Sequence, residues 1–379
     1  MKSFSVRTLR AICASGLVCL LATGAMAQSP AARIVNAANA FLSTLDEKQR
    51  QGVLFAFDDE QQRKRWSNFP TGFVPRSGIS LKDMAPAQRT AAMALVASVL
   101  SENGFEKVQQ IMEGDEALRI DEEKNPGQSR GGGGPPGAGG PPPGAPPPGL
   151  PAQPGPPKLS GQLFGKDLYY ISILGTPSEK SPWMLQFGGH HLALNITIAD
   201  EHEILTPTLT AAQPAIYSLN GKTVRPLGKE SDKALALLNA LDAQQQKRAV
   251  LTYRVADLVL GPGQDGKTIQ PDGLKASEMN ERQRAMLLDL ISEWSGIINE
   301  SAAAARMDEI KTGLDETWFA WSGPTTVVPG SNITAYYRIQ GPQLVIEYAP
   351  QPLGGDPAMH IHTMYRDPTN DYGRKLTAK

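Results

Sequence analysis

Cysteine is almost absent from this chain: of 379 residues only Cys13 and Cys19 carry thiols, and both lie near the N-terminus. Histidine is nearly as scarce, with five residues, and aromatic residues make up 6%. No apolar run reaches the ~20 residues that a membrane-spanning helix requires. Neither sign of charge is in excess, since 37 Lys and Arg nearly balance 38 Asp and Glu to leave a net −1. No basic cluster with interleaved aromatics stands out, so nucleic acid and anionic membrane surfaces are not expected partners.

The beginning of the chain accounts for both cysteines. Lys2, Arg7 and Arg10 precede the apolar run Ala11–Leu21, and Ala25-Met26-Ala27 follow before Gln28. Basic, apolar, then small-x-small is the order of a secretory signal peptide. Neither cysteine has a lipoprotein context, because Leu17-Val18 stand where small residues are expected before Cys19. Cleavage after Ala27 predicts an exported protein, periplasmic or extracellular. It also leaves no disulfide, no thiolate ligand and no thiol nucleophile. Loss of three positive charges takes the net charge from −1 to −4.

Residues 128–158 are dominated by Gly and Pro without the strict three-residue period of collagen, and read as a disordered, partly polyproline-like spacer. Around this insert one pattern recurs. Leu42-Ser-Thr-Leu45-Asp46 is echoed by Leu238-Asn-Ala-Leu241-Asp242, and Asp83-Met84 with Gln88-Arg89 by Glu278-Met279 with Gln283-Arg284. Tyr169-Tyr170 leading to Gly175 resembles Trp318-Phe319 leading to Gly323, and the stretch Gln186–Asn195 lies over Arg338–Glu347. The expected fold is α+β, with two pseudo-repeated halves, each a helical pair followed by antiparallel strands. The first half comprises a helical part (28–127) and strands (159–227), and the second spans 228–379. Helices are expected within Ala31–Arg65, Ala87–Met112, Glu230–Val255 and Glu278–Ile310. Strands are expected at Leu168–Ile173, His190–Ile198, Thr317–Trp321, Ala335–Ile339, Leu344–Tyr348 and His360–Arg366.

Four of the five histidines form two tight pairs, His190-His191 and His360-x-His362. Imidazole is the commonest transition-metal ligand and the usual general base near neutral pH. Strand parity puts Leu192, Leu194 and Ile196 on an apolar face, with His191, Ala193, Asn195 and Thr197 opposite. By the same parity His360, His362, Met364 and Arg366 share a face. Glu347 stands in an otherwise apolar strand, where burying it is costly unless it is paired. The expected metal set is His191, His360, His362 and Glu347, with His190 adjacent, and it suits zinc, copper, iron or manganese. Glu347 with Arg366 and Asp367 are candidate catalytic residues. Trp66, Asn68 and Arg76, from a loop rich in aromatic and polar groups, and Asn195 are candidate ligand-binding residues. Each also has a structural reading: core histidines bonded to backbone, a packed loop, a polar Arg–Asp turn. Three function classes follow. One is a metal-dependent hydrolase, oxidoreductase or metal-binding protein. Another is a metal-free module for a small molecule such as a carbohydrate, and the third is an envelope protein working through its proline-rich insert. Nothing in the sequence specifies an oligomeric state.

Several of these segments resemble the DUF3500 family, a group of mostly exported proteins without an assigned function. The resemblance is carried by Trp66–Pro70 with Phe73–Arg76, Tyr170–Pro177, Trp183–Asn195 (through FGGHHLALN), Tyr337–Tyr348 (through YRIQGPQLVIEY) and His360–Gly373 (through HIHTMYRDPTNDYG). Ser67 stands where relatives are expected to carry His after Trp. The resemblance implies one domain along most of the mature chain and implies no mechanism.

Overall fold

Short polar side chains decide where four of the six longer helices begin among the described residues. In the computed structural model, which describes residues 29–125, 162–352 and 355–377, Ser29 accepts a hydrogen bond from the Ala32 amide and starts helix α1 (Pro30–Ser43). The predicted leader and Gly/Pro insert lie outside the described residues. Asp46 and Gln49 form a reciprocal capping box at Glu47–Val53, and Asp242 and Gln245 form the same box at Ala243–Ala249. Helix α2 (Pro86–Val99) ends just before Ser101, which caps helix α3 (Glu102–Lys124). In the second half Asn280 caps α5 (Glu281–Ser295) and Asn299 caps α6 (Glu300–Thr312), with α4 (Gly228–Ala240) preceding them. Each expected helical stretch is therefore divided by a cap, because an N-capping side chain ends one run and begins the next.

Eight longer strands make the body of a twelve-stranded sheet. They are β1 (Tyr170–Leu174), β2 (Trp183–Gly188), β3 (Leu192–Ala199), β4 (Thr208–Ala212), β5 (Trp318–Ser322), β6 (Tyr336–Gly341), β7 (Leu344–Pro350) and β8 (Ile361–Arg366). Their spatial order is β1-β2-β3-β4-β8-β7-β6-β5, with Leu54–Phe55 beyond β1 and Leu274–Lys275 beyond β5. The fold is α+β, as expected. β4 and β8 pair antiparallel at the centre, so one sheet runs through both halves. Leu54–Phe55 runs parallel to β1, and Val250 makes a parallel bridge to Trp321 of β5. Descent of the halves from one duplicated unit is our proposal for this arrangement.

Residues opposite one another in the ladder share a face. Leu192, Thr210, Thr363 and Tyr348 align across four strands on the helix-covered side. There Leu192, Leu194, Ile196 and Ile198 pack with Phe41, Leu95 and Val99, while Ile346 and Tyr348 pack with Leu238, Leu290 and Trp294. A fully buried Leu or Ile contributes about 1.5–3 kcal/mol, so these two cores dominate stability. Thr210 and Thr363 hydrogen-bond at 2.7 Å where the cores meet, and Trp294 Nε1 donates to Thr363 Oγ1.

The opposite face carries Ala193, Leu209, Met364 and Glu347 in register, with Ala211, His362 and Ala349 one pleat on. Two loops cover it. Gln62 and the Arg63 carbonyl bind Gln186, which donates to Asn195 Oδ1 and ties the first loop down. Glu347 accepts from the Val259 and Leu260 amides and ties down the second. The strand-parity reading of β3 and β7 thus holds. β2 and β4 were not expected from the sequence; both are short and flanked by turn residues.

Candidate metal centre

His190 and His191 were expected to open a strand, but they form the turn between β2 and β3, where the Gly189 amide donates to the Leu192 carbonyl. Glycine is required on its approach: a Cβ on Gly188 would lie 2.3 Å from the Leu192 carbonyl oxygen, and one on Gly189 2.5 Å from that of Leu168. His191 itself adopts φ 63°, a left-handed conformation that costs a non-glycine residue about 1–3 kcal/mol. This backbone sends the His191 ring towards β8. Its carbonyl accepts from the Ala211 amide, which holds the turn against β4.

Three imidazoles converge there. His191 Nε2 lies 3.1 Å from His360 Nε2, which lies 3.0 Å from His362 Nε2. A tetrahedral ion with bonds of 2.0–2.1 Å would hold its nitrogens roughly 3.3 Å apart, so these rings are spaced for one ion with little movement. Neighbouring Nε2 atoms at such separations cannot both bear a proton. All three side chains are buried, with residue exposures of 1%, 5% and 6% for His191, His360 and His362. Burial, followed by the nearby His190, His360 and His362, pushes the His191 pKa well below its ordinary value, keeping that ring neutral.

Around the rings lie oxygen and amide groups. His362 Nδ1 is 3.2 Å from the Asn68 carboxamide and 3.8 Å from Asp257 Oδ1. With the proton on Nδ1, Asn68 would turn its oxygen to that ring, since a carboxamide occupies the same volume either way round. Burial alone would raise the Asp257 pKa, but its bonds to His362, the Leu258 amide and Gln351 prevail and lower it. On the other side Asp115 Oδ1 is 2.7 Å from His190 Nδ1 and 4.0 Å from His191 Nδ1. Burial raises the Asp115 pKa, opposed by His190 and Tyr169. Tyr169 Oη lies 2.8 Å from the His190 carbonyl oxygen and 3.1 Å from Asp115 Oδ2. Two groups, His191/His360/His362 and Asp115/His190/His191, each place their ligand atoms within 4.8 Å and could hold a metal ion.

Other expected site residues are placed elsewhere. Glu347 is not at the histidines: its oxygens accept from Val259 N, Leu260 N and Tyr336 Oη, each at 2.7 Å. Those three bonds oppose the rise in pKa that burial imposes without cancelling it, and they leave Glu347 fastening a loop. Arg366 spends its guanidinium on Asp265, Asp371 and the carbonyls of Leu260 and Gly261. Asp367, a candidate catalytic residue, instead pairs with Arg306 and accepts from the Thr369 amide. Asn195 is engaged with Gln186 and Pro207. Arg76 donates to the carbonyls of Ser67, Phe69 and Gly189, strapping the Trp66 loop to the histidine turn. Its burial lowers its pKa to about 10. Trp66 is 7% exposed, packs with Ala193, Leu209, Ala211 and Met364, and donates to Tyr372 Oη. Met364 is thereby a core residue. The cavity beside these side chains has a volume of about 30 Å³, room for a water molecule rather than a sugar. Of the candidate ligand-binding residues, only Asn68 reaches the histidines.

Asp115, Asp257 and Tyr169 were missed. Asp257 and Tyr169 carry no local signal. Asp115 does: it continues the buried α3 stripe of Gly104, Val108, Ile111 and Leu118, where an acid has no business without a partner.

A family model described as "Protein of unknown function (DUF3500)" matches residues 27–374. The chain belongs to the DUF3500 family. Both histidine pairs of this DUF3500 protein, and every residue placed around them, fall within the matched span. No curated protein and no solved structure matches the chain.

Proposed function

We propose that this DUF3500 protein is an exported metal-binding protein whose ion is held by Nε2 of His191, His360 and His362. The observation that carries the reading is the convergence of three buried imidazoles on one point. Asn68, Asp257 and Asp115 lie beside the outward nitrogens, as groups that fix ring orientation do in metal sites. With Glu347 committed elsewhere, the donor set is nitrogen alone. That favours zinc or copper over manganese, which prefers oxygen ligands. Hydrolysis through metal-bound water, or oxidation, would need a fourth position that substrate can reach. The burial of all three rings favours an ion that is held over one that meets a bulky substrate. A metal-free carbohydrate module has less support, because the Trp66 ring it would stack on faces inward.

The test is elemental mass spectrometry on residues 28–379, purified without a polyhistidine tag, beside a His360→Ala/His362→Ala variant of matching far-UV dichroism. At least one transition metal per chain is expected, with the ion held by His191, His360 and His362 lost in the variant. No metal in either protein, and none taken up on titration, would overturn the reading. Export is tested separately by N-terminal sequencing of the envelope fraction, with Gln28 expected first.

A further inference from the structure

His191 faces two ways. Its Nε2 joins His360 and His362, while its Nδ1 is buried and has no hydrogen-bond partner among the described residues. A buried polar atom without a partner is rare enough to need a cause, and an ion is one of the usual causes. What lies beside this nitrogen is a second set of donors. His190 Nδ1 and His191 Nδ1 approach the same carboxylate oxygen, Asp115 Oδ1, at 2.7 and 4.0 Å, distances that bracket the ligand separation around a tetrahedral ion. The His190 and His191 rings lie face to face with centroids 3.5 Å apart. Asp115 is 1% exposed, so it meets no solvent cation in passing.

We propose that the protein binds two transition-metal ions bridged by the His191 ring. The first ion takes Nε2 of His191, His360 and His362. The second takes Nδ1 of His191, Nδ1 of His190 and the Asp115 carboxylate. The second ion rests on the metal-binding reading above and extends it from one ion to two.

The protons balance. A neutral His191 carries one N–H, and with a metal on each nitrogen that proton leaves to solvent, making the ring an imidazolate. With Nδ1 on the ion, His190 carries its N–H on Nε2. The imidazolate and the Asp115 carboxylate together offset two of the positive charges brought in by the ions. Metal ligands must be deprotonated, so uptake of the second ion releases acid. The first ion has three nitrogen donors and the second two nitrogens with one carboxylate, and neither has sulfur, which suits copper(II) or zinc(II).

Metal-free, tag-free wild-type protein is titrated with copper(II) and followed by bound copper and by electron paramagnetic resonance. Two ions per chain are expected, with a spin intensity well below the copper content because the bridge couples the two centres. Asp115→Asn, of unchanged far-UV dichroism, is expected to bind one ion and show its full spin intensity. A wild type that saturates at one ion with full intensity, lost in the His360→Ala/His362→Ala variant, would overturn the bridge and leave the single-ion reading standing. Two uncoupled ions, or two ions persisting in Asp115→Asn, would also overturn it, since the second would then lie elsewhere. No copper bound at all would overturn both. Should Asp115→Asn fail to fold, the wild-type stoichiometry and spin count decide alone.

Discussion

At the scale of single residues, the conformation of His191 carries the most information. Holding a histidine at φ 63° is unfavourable, and asparagine, whose short side chain can bond locally, also accepts that region. His191→Asn is therefore expected to leave the metal-free protein within about 1 kcal/mol of wild type, as read by chemical denaturation, while abolishing metal uptake. A variant that still binds metal as tightly as wild type would remove His191 from the site. Glu347 gives the opposite pairing of outcomes. Glu347→Gln loses a charged acceptor for two amides and a phenol, so a loss of ~1–3 kcal/mol is expected with unchanged metal content. Glu203 supplies a pH test away from the histidines. Burial raises its pKa to about 7, against the opposing influence of Asn299 and Arg33. The folded protein therefore holds a proton there that the unfolded chain gives up above its ordinary value of 4.5. This contribution is complete below that value and is lost as pH rises through about 7. Glu203→Gln should accordingly stabilise the protein at pH 8, by up to ~3 kcal/mol, and change little at pH 4. Melting curves of both proteins across that range provide the check.

At the scale of elements, the site is assembled from a turn, a strand and a loop that only the fold brings together. The loop is held by Arg76, whose three carbonyl contacts bridge Ser67, Phe69 and the histidine turn. Asn68→Ala removes the carboxamide beside His362 and is expected to weaken metal binding ten- to a hundredfold without a change in fold; a competition titration with a chelator measures it. An unchanged affinity would show that the contact does not orient the ring. The sequence disclosed these elements unevenly. Period-two alternation in β3 and β7 was readable because one face of each is packed by helices and the other is not. The central strand β4 was not, since Thr208–Ala212 is short and its Thr and Ala side chains mark neither face as apolar. The two histidine pairs were legible because their residue type is rare here. Glu347 was misplaced by the same reasoning that found it: a buried acid needs partners, but sequence cannot say whether these are an ion or two backbone amides. Asp115 was hidden in a helix that reads as charged along its whole length, although its place on the apolar stripe marked it.

At the scale of the whole molecule, one sheet carries two helical cores on one face and two loops on the other, with β4 and β8 joining the halves. The three converging histidines lie next to this junction, His191 from the first half and His360 and His362 from the second. Binding an ion there ties the halves together, so it should stabilise the protein against unfolding as a whole by mass action. No helix among the described residues is long and apolar enough to cross a membrane. The central claim is that three Nε2 atoms from the two halves share one ion. The most direct measurement is anomalous diffraction from crystals grown with zinc or copper. The account predicts a peak bounded by Nε2 of His191, His360 and His362, at roughly 2.0–2.1 Å from each. A saturated crystal with no peak at that point would contradict it.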